Sequence, residues 1–154
     1  VPGCLTCHEG TEQNFMLRAL DISTSALVAE RTRLNAVAGN IANISTLKNE
    51  KGEAEAYRAR EVVFQTDDEI STQGASGVKV EEIRASDAEP LYRYQPQHPL
   101  AIKDGKWKGY VAYPNIDLTT QMVDALESTR AYEANVGVME ITKNLSRETL
   151  TILA

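Results

Sequence analysis

Cys4, Cys7 and His8 stand in the spacing Cys-x-x-Cys-His, the local pattern in which two thiols form thioether links to a haem and the histidine ligates its iron. Such a haem needs a second axial ligand and an apolar pocket. The surrounding residues 1–15, VPGCLTCHEGTEQNF, combine Pro, Gly and polar residues without an apolar period and read as an unstructured leader. The same three side chains fall short of the four ligands of a structural zinc site, and there is no second cysteine pair to complete one. A small c-type haem protein is therefore the runner-up reading, and the leading one assigns no cofactor and no metal.

The other candidates for chemistry have simpler structural roles. His98 lies between Gln97 and Pro99 in a proline-rich stretch, where a solvent-exposed surface histidine is expected and a general base is not. Asp67, Asp68 and Glu69 are adjacent carboxylates near Ser and Gly, the composition of a solvated turn, not of an acid–base pair. No Gly-x-Ser-x-Gly elbow or phosphate-cradling glycine loop occurs, so the chain reads as non-enzymatic.

Composition narrows the partners. The net charge of −6 arises from 22 acidic and 16 basic residues, without the Lys/Arg stripe that nucleic acid or anionic lipid requires. No run approaches the roughly 20 apolar residues of a bilayer span, and the first residues lack the charged start and apolar run of a secretory signal. Both cysteines precede His8, so residues 8–154 are expected to hold together by packing, without disulfides.

The elements that must position any site follow from periodicity. Leu20, Leu27, Leu34 and Ile41 recur every seven residues, with Leu17, Ala26, Val37, Ala38 and Ile44 in support. They predict a helix over about residues 17–45, within an N-terminal helical segment 16–46. A charged loop, LKNEKGEAEA, follows from Leu47 to Ala56. Strands are expected in Tyr57–Thr66 around Val62, Val63 and Phe64, then across Val78, Val80 and Ile83, with Asp67–Gly77 as the loop between. Three prolines make Pro90–Leu100 an extended arm or edge strand; Lys103–Lys108 turns around Gly105, and Gly109–Tyr113 returns as a last short strand. After Pro114 and Asn115, with Asp117 or Thr119 as cap, helical spacing resumes in Met122, Ala125, Thr129, Tyr132, Val136 and Met139. The expected fold is α+β: helices over 16–46 and 117–154 packing as a coiled-coil-like layer, with a small β-rich insert over 47–116.

Read as words, the helices carry a family resemblance. Leu34-Asn35-Ala36-Val37-Ala38-Gly39-Asn40-Ile41-Ala42-Asn43 resembles the N-terminal signature of the flagellar rod and hook family. Asn35, Asn40 and Asn43 are poor interior helix formers, so three within nine residues suggest lateral or helix-ending contacts. Gly109-Tyr110-Val111, Pro114-Asn115-Ile116-Asp117, Met122-Val123 and Ser128-Thr129-Arg130-Ala131-Tyr132-Glu133-Ala134-Asn135-Val136 look like the C-terminal region of a proximal rod member. Tyr57-Arg58-Ala59, Val62-Val63-Phe64-Gln65 and Gly77-Val78-Lys79-Val80 are similar to its central segment in the same order, so matches run from about Met16 to Leu153.

The resemblance implies a building block of the axial rod that crosses the periplasm, exported through the flagellar type III apparatus without a cleaved signal. Its implied partners are other rod and basal-body proteins (FlgB, FlgF, FlgG and FliE). Its implied assembly surface, taken with the periodic stripes, comprises Leu20, Leu27, Leu34, Asn35, Asn40, Ile41, Asn43, Met122, Arg130, Tyr132, Asn135, Val136 and Met139. A start at Met16 would give the family's usual N-terminus, making residues 1–15 an extension. Two departures stand out: Ala101–Lys108, AIKDGKWK, is more basic than the family's compact stretch there, and Leu47–Ala56 is more charged. An export adaptor or chaperone-like module is the third reading.

Overall fold

The computed structural model describes residues 6–49, 51–72 and 75–153, with side chains over 17–49, 51–70 and 75–152. In chain order it comprises α1 (Thr6–Ala42), β1 (Arg60–Thr72), β2 (Ala75–Ala85), β3 (Leu91–Tyr94), β4 (Tyr110–Tyr113) and α2 (Leu118–Leu153). β1 pairs with β2 and β3 with β4, giving two separate two-stranded sheets. Two long terminal helices around a small insert of strands make the α+β class expected from the pattern.

Local chemistry sets the inner ends of both helices. Asn43 ends α1: its backbone N–H and its side-chain amide both donate to Gly39 O, at 3.1 and 2.9 Å, and the Thr46 hydroxyl donates to Asn43 Oδ1 at 3.0 Å. Of the two caps proposed for α2, Asp117 is the one used. Its Oδ1 accepts the Thr119 N–H at 3.1 Å, and its Oδ2 accepts the Thr120 N–H at 3.3 Å and hydroxyl at 2.8 Å. The hydroxyl of Thr120, then the N–H of Thr119, favour the charged carboxylate and hold the Asp117 carboxyl below its ordinary value of 3.8.

By compactness the chain divides into one unit of Val1–Thr32, Phe64–Glu81 and Glu127–Ala154, and a second of Arg33–Val63 and Glu82–Leu126. In the first unit, the β1–β2 ribbon is tied to α1 through Ser25, whose Oγ donates to Ile22 O at 2.7 Å and accepts the Val78 N–H at 3.0 Å. Gly77 permits this approach, since a Cβ there would lie 3.1 Å from Ser25 Oγ and 3.4 Å from Ile70 Cβ. The buried positions of this unit include small residues: Ser23 and Ala29 of α1 and Ser128 of α2.

In the second unit, β3 and β4 run antiparallel with Leu91 opposite Tyr113 and Tyr94 opposite Tyr110, and Val111 is buried between its neighbours. Tyr92 stacks on Trp107 at 4.3 Å between ring centroids, and Tyr110 meets Trp107 and Tyr94 edge-on at 5.5 and 5.2 Å. Gly109, at φ 82°, closes the loop between the strands in a conformation that a side chain resists. The charged loop after α1 is organised by Asn49, whose Oδ1 accepts the N–H groups of Lys51 and Glu53 at 3.0 and 2.9 Å.

Three boundaries differ from those the sequence suggests. Helix α1 starts at Thr6, so residues 6–15 are not an irregular leader; extending an existing helix adds a hydrogen bond per residue without a new nucleation cost. The stretch Asp67–Gly77 is not a loop, because β1 runs on to Thr72 and β2 begins at Ala75; the reciprocal backbone bonds of the ribbon outweigh the low strand propensity of Asp and Glu. α1 ends at Ala42, with the next residues in a turn, because Asn43 takes the Gly39 carbonyl for itself.

Candidate assembly interface

The most constrained polar side chain is Asn40, on the last turns of α1 and only 2% exposed. Its Nδ2 donates to Arg60 O and to Gln121 Oε1, both at 2.9 Å; its Oδ1 accepts the Arg60 N–H at 2.7 Å and the Tyr57 hydroxyl at 3.2 Å. Two donors and two acceptor sites are thus all used, which is the full capacity of a primary amide. One side chain joins the end of α1, the start of β1 and the first turn of α2. The asparagine signature therefore divides by role: Asn40 is the junction, Asn43 the helix stop, and Asn35 lies exposed on α1.

Helix α2 has two distinct faces. In the first unit, Ser128 is buried and Asn135, Met139, Thr142 and Ser146 are half-buried. Three of its side chains bond back to the helix: Asn135 Nδ2 donates to Ala131 O at 2.8 Å, the Thr142 hydroxyl to Val138 O at 2.9 Å and the Ser146 hydroxyl to Thr142 O at 3.0 Å. Ser128 Oγ is buried without a partner. Small residues that bond to their own backbone let other backbone approach closely. Elsewhere on the helix, Val138, Ile141, Leu145 and Ile152 are 47%, 62%, 52% and 85% exposed. At 100° per residue these four fall within about 60° of one another, forming a continuous apolar stripe. In the second unit, Leu118, Met122, Val123 and Leu126 of the same helix are also exposed.

The residues assigned from sequence to assembly occupy three environments. Leu20, Leu27, Leu34, Ile41, Asn43, Asn135, Val136 and Met139 are half-buried; Asn35, Met122, Arg130 and Tyr132 are exposed; Asn40 is enclosed by its own chain. The heptad pattern missed the outward stripe Val138–Ile152, although its members recur at helical spacing, because Met139 and Val136 offered an equally good stripe beside it. Ser25, Tyr57, Gly77 and Gln121 also escaped the sequence reading as junction residues, since their partners lie far along the chain.

Among the described residues, His98 and Asp67, two of the side chains singled out for possible chemistry, have structural partners. His98 is half-buried, not fully exposed: its Nδ1 accepts the Leu100 N–H at 3.2 Å and so stiffens the proline-rich turn. Asp67 Oδ1 accepts the Glu69 N–H at 3.1 Å within β1. A groove in the first unit is lined by Arg18, Asp21, Thr24, Ser25, Val28, Glu69 and Ile70, and its Ser25 hydroxyl is already committed to Ile22 O and the Val78 N–H. Cys4 lies outside the described residues, as do the side chains of Cys7 and His8. Among the described residues there is no group of three or more His, Cys, Asp or Glu arranged to hold a metal ion, and no helix is long and apolar enough to cross a membrane.

Long terminal helices, a buried amide joining the end of α1 to β1 and to the first turn of α2, and an outward apolar stripe are the features of an architectural subunit. Family comparison agrees: residues 20–47 match the flagella basal body rod protein model, and residues 108–152 match the C-terminal model of the flagellar basal body rod FlgEFG proteins. The chain is 38% identical over 137 residues to the flagellar basal-body rod protein FlgC of Salmonella typhimurium, covering 89% of this chain and 97% of that protein. It is 40% identical to the protein of that name from Yersinia enterocolitica, with the same coverage, and 37% identical over 147 residues to that from Bacillus subtilis, covering 87% and 95%. The chain belongs to the FlgC family of flagellar basal-body rod proteins, and is a structural component of the basal-body rod.

Proposed function

We propose that the chain is a non-enzymatic subunit of the proximal rod, assembling through its terminal helices and transmitting torque along the axis. The observation that carries this reading is the stripe of Val138, Ile141, Leu145 and Ile152, apolar and outward on a helix that has already buried a different face. Covering such a stripe is favourable by roughly 25 cal/mol per Å² of apolar area, which offsets the ordering cost of a terminal helix only once a neighbour is in place. Met122, Arg130, Tyr132 and Asn35 are likewise exposed, while Leu20, Leu27, Leu34, Ile41, Val136 and Met139 are half-buried. Head-to-tail contacts of this kind are open and propagate a tube.

The family assignment supports a periplasmic location in the rod, delivery by the flagellar type III export apparatus, and neighbours drawn from the other rod and basal-body proteins, FlgB, FlgF, FlgG and FliE. The test is complementation of a strain lacking the chain with Ile141→Asp/Leu145→Asp. Because both side chains are exposed, the variant is expected to fold with unchanged circular dichroism and melting temperature, yet to be lost from the rod with at least a tenfold fall in swimming cells. Normal swimming by that variant would contradict the reading.

A further inference from the structure

Among the described residues, the loop between β3 and β4 carries a positive patch with a single acid beside it. Lys103, Lys106 and Lys108 occur within six residues beside a single acid, Asp104, in a chain of net charge −6. All three lysines are exposed, and none of them is in an ion pair among the described residues. The loop is built, not merely solvated. Trp107 is stacked on Tyr92 and met edge-on by Tyr110, while Gly105 and Gly109 hold left-handed conformations at φ 90° and 82°. Lys106 Nζ lies 5.4 Å from the Trp107 ring centroid and the Arg93 guanidinium carbon 4.8 Å from that of Tyr113, so a cation is held on β3 and another on the loop. A patch held this way loses little further freedom on binding, which favours a specific partner over diffuse counter-ions.

The same sequence contains the complement. On the ribbon, Asp68 and Glu69 of β1 and Glu81 and Glu82 of β2 are exposed, with Asp67 beside them; its cations are Lys79, Arg60 and Arg84, the last paired with Glu61 at 3.2 Å, so acids exceed bases by six to three. We infer that the Lys103–Lys108 loop docks on the acidic β1–β2 ribbon of a second copy of this chain, an electrostatic contact between inserts that sets the lateral register of neighbouring copies. It rests on the rod reading but is separate from the helix stripe. Complementary charge of this kind selects orientation and partner more than it adds affinity, and a charged two-stranded ribbon resists indiscriminate edge pairing.

Charge exchange tests the contact in the full chain, expressed in a strain lacking it, with incorporation measured by immunoblot of isolated basal bodies. Reversal of the loop (Lys103→Glu, Lys106→Glu, Lys108→Glu) is expected to lower incorporation about tenfold while leaving the circular dichroism spectrum unchanged. Adding Asp68→Lys, Glu69→Lys and Glu81→Lys to the same chain, so that every copy carries both inverted surfaces, is expected to restore it to within about twofold. Undiminished incorporation of the loop reversal overturns the inference. A folded loop variant that the ribbon reversal does not rescue also overturns it, because the occupant is then some other acidic protein. Absence of the unsubstituted chain from basal bodies would instead sink the rod reading, and this contact with it.

Discussion

At the scale of single residues, one polar side chain joins three segments of this fold. Asn40 uses all four of its hydrogen-bonding positions on Arg60, Tyr57 and Gln121. Truncation removes the side chain and strands the buried groups it served, so Asn40→Ala is expected to destabilise the chain by about 3 kcal/mol, measured by urea unfolding. A loss within experimental error would show that water takes over the junction. Asp117 makes a different prediction. Its folded pKa is depressed, so its contribution to stability is fully present above the ordinary value of 3.8 and is lost as pH falls through the lower folded value. The difference in melting temperature between the unsubstituted chain and Asp117→Asn should therefore be constant near neutrality and shrink below pH 3.8. A difference independent of pH would contradict the cap. Sequence alone marked Asn40 as unusual, because an amide inside an apolar helix competes for backbone bonds. It could not supply Gln121, which is 81 positions away.

At the scale of elements, turn chemistry and backbone freedom decide where strands meet. Gly109 combines a φ of 82° with a neighbouring ring: a Cβ there would stand 3.0 Å from Tyr94 Cε2. Gly109→Ala is expected to cost about 1–3 kcal/mol and to disturb the Tyr94–Tyr110 contact, read as a loss of near-ultraviolet circular dichroism with the helices retained. An unchanged melting temperature would argue that the loop relaxes freely. The helices and short strands were legible because apolar spacing and proline placement act locally. The length of the β1–β2 ribbon was not, since Asp67-Asp68-Glu69 has the composition of a turn and is held extended by pairing with a partner strand. The N-terminal extension of α1 was hidden for a related reason: residues 6–15 have no period of their own and continue a helix begun further along the chain.

At the scale of the whole molecule, α+β organisation and rod-family membership were both readable, the first from periodicity and the second from the Leu34–Asn43 and Ser128–Val136 words. Orientation about each helix axis was not. Several stripes on α2 satisfy the same spacing rule, and only packing distinguishes the face of Ser128, Asn135 and Thr142 from the outward stripe of Val138, Ile141, Leu145 and Ile152. On this stretch of α2 the fully buried position is the small Ser128 while large apolar side chains stand outward, the reverse of a core filled by large apolar side chains. An exposed apolar stripe of this kind is a surface that a neighbour can cover. The most direct measurement is the isolation of flagellar basal bodies from cells producing either the unsubstituted chain or Ile141→Asp/Leu145→Asp. The account predicts the unsubstituted chain in the rod fraction and the variant outside it, still folded. Equal recovery of both in the rod would contradict assembly through this face.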